Sequence, residues 1–240
     1  MRIKIECETK HEHLPLEYRR KFISFLKNAI ESYNKDIFSN IYGSGNPKSF
    51  CFGIYFLPDV KVSKNGVMLH SKRFNVWITT RDLLMGVHLI NAFMGRINKW
   101  VPFGDNDVKV TSIVKAEEFN IINNFAPFRT LSPIVVRDHN QETGKDWYFI
   151  FGDDQFEEVW KRNLKTEVKD VFNWDPSDDI NRMRIKPIKL RKTVVLNYGI
   201  YIPCTIGSFV LEGERYLLEY LHKAGCGSKR SLGFGCLDLI

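Results

Sequence analysis

Near the end of the chain, Gly225-Cys-Gly-Ser-Lys-Arg-Ser-Leu-Gly-Phe-Gly235 sets four glycines around a Lys-Arg-Ser centre. Glycines admit positive φ and close backbone approach, which frees amide N–H groups to face a ligand, and Lys229 and Arg230 add positive charge beside them. Gly225, Gly227, Lys229, Arg230, Ser231, Gly233 and Gly235 are therefore candidates to cradle a phosphodiester backbone, with Lys229 and Arg230 expected in an exposed loop. The spacing is not a dinucleotide fingerprint, because Arg230 stands where the next glycine would be and no helix remains downstream to receive a pyrophosphate. Nor does it match a P-loop. The other reading of the segment is a turn whose glycines only reverse the chain.

A second signal lies just upstream. From Arg182 to Leu211 there are six basic residues and no acid. Five of them, Arg182, Arg184, Lys186, Lys189 and Arg191, are candidates to meet phosphates. Over Arg182 to Lys186 basic and apolar residues alternate with period two, so a strand here turns its charges outward and buries Met183 and Ile185. A solvated strand edge kept from aggregating by its charge explains the same pattern.

Other chemistries find less support. There is no H-E-x-x-H, D-x-D or clustered carboxylate pattern, which disfavours a two-metal nuclease, so neither a metal nor any other cofactor is expected. The five cysteines are scattered and form no C-x-x-C pair, which supports neither a zinc site nor a disulfide framework. His11, His13, His70, His88, His139 and His222 fall in hairpin, turn or helix contexts where no catalytic partner is evident.

The elements that must position these residues repeat once along the chain. Residues 1–8 read as a strand, and Tyr18, Phe22, Phe25, Leu26, Ala29, Ile30 and Tyr33 recur at helical spacing. After the turn-rich stretch Asn40–Pro47 come strands at Phe50–Leu57 and Phe74–Thr80, a helix over Arg81–Asn98 and a strand at Asp107–Glu117. The second half offers a strand at Thr130–Val136, a turn at Asn140–Lys145 and a helix over about Asp153–Phe172. Strands at Arg182–Arg191 and Thr193–Pro203, a helix over Gly207–Ala224 and a strand at Phe234–Ile240 complete it. The class is α+β, two tandem ferredoxin-like (RRM-like) βαββαβ domains, residues 1–122 and 123–240, packed closely for want of a low-complexity linker.

With 240 residues, 44% of them hydrophobic, the chain can bury the core such a fold needs. No run of about 18 apolar residues is present, and the charged start Met1-Arg2-Ile3-Lys4 lacks a secretory apolar stretch, so no membrane partner and a cytoplasmic location are expected. Lys and Arg outnumber Asp and Glu by 35 to 28, a net charge of +7 that favours a polyanionic partner.

The spacing G-x-G, five residues, then G-F-G before the last strand resembles that of the CRISPR-associated repeat-RNA-processing endoribonucleases of the RAMP superfamily. Thr130-Leu-Ser-Pro-Ile134 and Gly45-Asn-Pro-Lys-Ser-Phe50 are similar to segments opening the second half and the first-half hairpin in that family, so the likeness covers essentially the whole chain. It implies binding of CRISPR repeat RNA and a metal-independent cut within each repeat that releases guide RNAs. The ribose 2′-hydroxyl would attack, giving 2′,3′-cyclic phosphate and 5′-hydroxyl ends. The family's site commonly has a histidine in the loop after the first helix, a lysine a few residues on and a tyrosine on that helix. Matching the Asn-Pro-Lys-Ser-Phe segment puts Tyr42 at the histidine's place, Lys48 at the lysine's and Lys27 near the tyrosine's. No histidine lies between His13 and His70. Tyrosine and lysine titrate near 10 unless perturbed, so neither is a ready base at neutral pH. Two further readings follow: a non-cleaving RNA-binding member of the same family, or a general single-stranded RNA binder, which would need exposed aromatics on a sheet. Other CRISPR-associated effector subunits are conceivable partners, and the state is left open between monomer and homodimer.

Overall fold

The structure is a computed structural model describing residues 1–43, 47–169 and 171–240. The first half runs β1 (Arg2–Thr9), β2 (His13–Leu14), α1 (Tyr18–Tyr33), α2 (Lys35–Tyr42), β3 (Phe50–Phe56), β4 (Val60–Ser63), β5 (Gly66–Leu69), β6 (Arg73–Thr80), α3 (Leu83–Met94), β7 (Val101–Phe103) and β8 (Asn106–Lys115). The second runs β9 (Phe125–Thr130), β10 (Val136–His139), β11 (Asp146–Phe149), α4 (Phe156–Val168), α5 (Ser177–Arg182), β12 (Arg184–Asn197), β13 (Ile200–Glu212), α6 (Arg215–Ala224), a 3-10 turn (Arg230–Leu232) and β14 (Leu237–Leu239).

The sheets have the strand orders β3-β6-β1-β8-β7 and β12-β13-β9-β14. With β2, α2, β4, β5 and β7 taken as additions to the first half, and β10, β11 and α5 to the second, both reduce to one antiparallel βαββαβ plan. Its first strand lies between the third and the fourth, as in ferredoxin-like folds. Alternation does the sorting. Ile3, Ile5 and Cys7 of β1 turn to one side and meet Phe22, Phe25 and Leu26 of α1 with Phe93 of α3, all buried. In the second half Phe128, Phe209 and Leu211 meet Trp160 and Leu164 of α4 and Leu217 of α6. Each such side chain contributes about 1.5–3 kcal/mol by leaving water.

Several elements differ from the sequence reading, and pairing explains the differences. The expected strand Thr130–Val136 is displaced, because β9 ends at Thr130 and Pro133 has no N–H for a ladder; beyond it Ile134 makes an isolated bridge to Thr205 and Val136 opens β10. The break expected near Lys192 lies instead at Tyr198-Gly199, whose φ values of 51° and 75° make the two-residue turn that joins long antiparallel strands. Gly207–Glu212 extends β13 rather than starting a helix, since pairing with β12 and β9 overrides local propensity, and α6 begins only at Arg215. Arg182 closes α5 instead of opening a strand, although Met183 is buried as expected. Phe234–Ile240 shortens to Leu237–Leu239, as positive φ at Gly233 and Gly235 interrupts extended pairing.

The halves are joined by buried polar bonds. Ser132 Oγ donates to the Phe52 carbonyl at 3.1 Å, and Thr79 Oγ1 to the Lys223 carbonyl at 2.9 Å. Arg2 donates to Asp238 at 2.8 Å and to Nε2 of His222 at 3.0 Å, which requires a neutral imidazole. Burial, reinforced by Arg2 and Lys223 and opposed by Asp238 and Glu118, holds His222 down to about 4. A histidine whose folded pKa is depressed binds its proton more tightly when unfolded. Its contribution is therefore complete above the unfolded value near 6.5 and is lost as pH falls toward 4. The wild type is expected to lose on the order of 2–3 kcal/mol more than His222→Gln over that window in urea unfolding. Parallel pH profiles for the two proteins would contradict this.

Candidate functional site

The three residues aligned with a reactive cluster do come together. Lys27 stands on α1. The next helix, α2, begins where Asn34 Oδ1 accepts the Asp36 and Ile37 amides, and it ends at Tyr42. The Tyr42 ring has Lys27 Nζ at 4.7 Å and Lys48 Nζ at 5.5 Å from its centroid, a double cation–π contact. Burial, and secondarily Tyr198 at the tip of the β12–β13 hairpin, push the Tyr42 hydroxyl up to about 12. At neutral pH it is protonated, able to donate a hydrogen bond but not to serve as a base. Gly45 and Asn46 of the aligned segment lie outside the described residues.

Lys48 also borders a cleft of about 800 Å³ between the halves, with Arg81 beside it and Arg137, His139, Arg162 and Glu167 on the far walls. Gly227, Lys229, Arg230 and Ser231 of the glycine loop also line it. Gly225, Gly233 and Gly235 do not line it. They are buried, and an added Cβ would meet Cys51 Sγ at 2.7 Å, the Phe52 ring at 2.8 Å and the Cys226 carbonyl at 2.0 Å respectively. These glycines therefore seat the loop between the halves, as the chain-reversal reading has it, and carry the lining residues into the cleft.

The expectation that Lys229 and Arg230 are exposed is overturned. Their side chains are only 17% and 13% accessible. Arg230 and the Tyr220 hydroxyl both donate to Oε1 of Glu167, while the Arg81 guanidinium lies 4.9 Å from the Tyr220 ring centroid. Burial raises the Glu167 carboxyl above its usual range against the pull of Arg230. Lys229 Nζ sits 3.7 Å from Asp146 Oδ2. Burial and Arg137 lower its pKa, and Asp146 opposes them.

Asp146 gathers four groups that sequence reading left apart. It pairs directly across the β10–β11 hairpin with His139, whose Nδ1 lies 2.7 Å from Oδ1. Arg137 donates to both its oxygens at 3.2 Å and the Tyr148 hydroxyl to Oδ2 at 2.9 Å. Burial alone would raise this carboxyl, but the hydrogen bonds from His139, Tyr148 and Arg137 outweigh it and hold it at about 2. His139 thus has a partner after all. The available signal was a turn at Asn140–Lys145 flanked by a histidine and an aspartate, which a hairpin closing symmetrically about that turn sets face to face.

The basic run stands elsewhere. Arg184, Lys186, Lys189 and Arg191 lie exposed on edge strand β12, and Ile185 and Leu190 turn inward to the second core, so these charges stand on the outer face, from which Arg184 reaches the first turn of α4. Lys189, Ser208, Arg129 and Asp238 make one row across that sheet face. Arg182 pairs with Asp179, Arg184 with Glu157 at 3.8 Å and Lys186 with Glu212 at 2.5 Å. None of the five basic candidates lines the cleft. Among the described residues, no three His, Cys, Asp or Glu side chains converge as metal ligands, all five cysteines are free and buried, and no helix is long and apolar enough to cross a membrane.

Comparison with known proteins follows the same lines. A family model described as CRISPR associated protein Cas6, C-terminal, matches residues 115–239. CRISPR-associated endoribonuclease Cas6 1 of Methanocaldococcus jannaschii is 22% identical over 243 residues, covering 98% of this chain and 91% of the relative. A solved Cas6-related protein from Pyrococcus furiosus superposes with a TM-score of 0.85 at 22% identity, covering 100% of this chain and 98% of the other. The structure of an RAMP protein binding different RNA substrates has the same TM-score and identity, covering 100% and 99%. At such identities the superpositions establish the fold.

Proposed function

The family match spans more than half of the chain, which therefore belongs to the CRISPR-associated Cas6 family, and from this premise we propose that it binds CRISPR repeat RNA and cuts the precursor within repeats. The reaction is a metal-independent attack of the ribose 2′-hydroxyl on the neighbouring phosphate, leaving a 2′,3′-cyclic phosphate and a 5′-hydroxyl. The observation that carries this reading is the placing of Lys27 and Lys48 around a protonated Tyr42, with Lys48 also bordering the cationic cleft that holds the tip of the glycine loop. Lys48 stabilises charge that grows on the phosphorane, Tyr42 donates a hydrogen bond to a phosphate oxygen, and Lys27 holds the Tyr42 ring. The backbone of Gly227 to Ser231 and the side chains of Lys189 and Arg191 hold flanking phosphates from two sides of the molecule. The two halves divide at residues 122 and 123, in the crossing between β8 and β9.

A second reading, binding without cleavage, is favoured by one observation: the Tyr42 hydroxyl, pushed up to about 12 by burial, is not a base at neutral pH. Incubation with cognate repeat RNA in excess EDTA separates the two. Cleavage at one site with a cyclic phosphate end supports the enzyme, and tight binding of intact RNA supports the silent binder. If the cluster acts on chemistry, Lys48→Ala lowers single-turnover cleavage at saturating protein by 10-fold or more, about 1.4 kcal/mol of barrier, with affinity little changed. Full activity in the Lys48→Ala/Tyr42→Phe double variant refutes the cluster.

A further inference from the structure

Tyr42 offers the 2′-hydroxyl no base at neutral pH, and the cleft that Lys48 borders holds a histidine that neither the family alignment nor the Tyr42 cluster uses. His139 is the last residue of β10, its side chain 43% accessible, and it lines the cleft along with Lys48 and Lys229. Because an ionised carboxylate only accepts, the 2.7 Å contact to Asp146 requires Nδ1–H as donor, so in the neutral imidazole it is Nε2 that carries the lone pair. That is the arrangement of an oriented base: one ring nitrogen fixed by a carboxylate, the other open to a reacting group. The carboxylate is itself fixed by Arg137 and Tyr148, so the imidazole is tethered to a rigid support. Lys229 approaches the second oxygen of the same carboxylate, which sets a cation beside the imidazole on the cleft wall.

We infer that His139, oriented by Asp146, is the general base of the cleavage reaction and that Lys229 is its general acid, an inference resting on the cleaving reading above. The 2′-O–H bond breaks and its proton passes to His139 Nε2. The 2′-oxygen bonds to phosphorus, the bond from phosphorus to the 5′-oxygen breaks, and the ammonium of Lys229 gives that oxygen its proton. Solvent then returns His139 and Lys229 to their starting states. Lys48, from the other half, meets the negative charge of the phosphorane. Asp146 is a positioning residue. The competing explanation is that His139 and Asp146 are a cross-strand pair that only pins the hairpin.

Two variants and a small molecule decide between them. His139→Gln can still donate to Asp146 but cannot accept a proton as imidazole does, and His139→Ala leaves space for free imidazole. If His139 is the base, both lower single-turnover cleavage of repeat RNA in EDTA by about 100-fold or more, with RNA affinity and melting temperature little changed, and added imidazole restores cleavage to His139→Ala but not to His139→Gln. Near-normal cleavage by His139→Gln, or a His139→Ala defect that imidazole leaves untouched, overturns the assignment while the cleaving reading stands. A wild-type protein that binds repeat RNA and never cuts it overturns both.

Discussion

Arg230→Ala is expected to lower the stability of the protein by about 3–5 kcal/mol, the cost of leaving a buried carboxylate without its cation. Arg230 and Tyr220 both donate to one oxygen of Glu167, and both charged side chains are largely shielded from water, at 13% and 19% accessibility. Removing the guanidinium leaves Glu167 with Tyr220, and with Arg81 acting only from across the Tyr220 ring. At this chain length each kcal/mol moves the melting temperature by about 2–4 °C, so a fall of about 10 °C is expected. Arg230→Ala with Glu167→Leu should recover much of it, because the stranded charge is gone. A melting temperature unchanged by Arg230→Ala would show the ion pair to be solvated and return Arg230 to the role of a phosphate ligand. Any RNA-binding defect of the single variant must be judged against this loss of fold.

Gly235→Ala should be comparably severe. At Gly235, φ is 70° and an added Cβ would lie 2.0 Å from the Cys226 carbonyl oxygen, a backbone atom that cannot swing aside. The left-handed conformation alone costs about 1–2 kcal/mol for alanine. The clash adds to it, since Gly235 accepts the Cys226 amide at 2.8 Å and donates to the Pro133 carbonyl at 2.7 Å. Gly144 provides the control: its φ is 66° with nothing within 4 Å of the added Cβ. Gly144→Ala should lose only the conformational term, about 1–2 kcal/mol, and Gly235→Ala clearly more, measured by urea unfolding. Equal losses would mean that the loop relaxes around the methyl group.

Much of this protein was written into local pattern. Period-two and period-3.6 repeats mark both βαββαβ units because sheet and helix burial each act over a few residues, and α1 and the buried strand β3 fall where their spacing puts them. The glycine spacing before β14 was equally legible, since positive φ is a local demand. The site was only half readable. Tyr42, Lys27 and Lys48 meet as alignment implied, but whether a tyrosine hydroxyl is a base or a donor depends on burial, and the tip of a hairpin from the other half helps to decide that. Arg230 looks like a loop cation in sequence. The acid that claims it comes from α4, 63 residues away, once α6 and the glycine loop pack beside that helix. His139 and Asp146 are seven residues apart and acquire their joint meaning from strand register, which sets them opposite each other, and from the docking of the halves, which brings Lys229 and Lys48 to the same cleft. Sequence by itself determined which segments fold and which backbone positions require glycine. Tertiary structure decided which charges are buried against each other and which remain open to a ligand, because that depends on contacts between residues far apart in the chain.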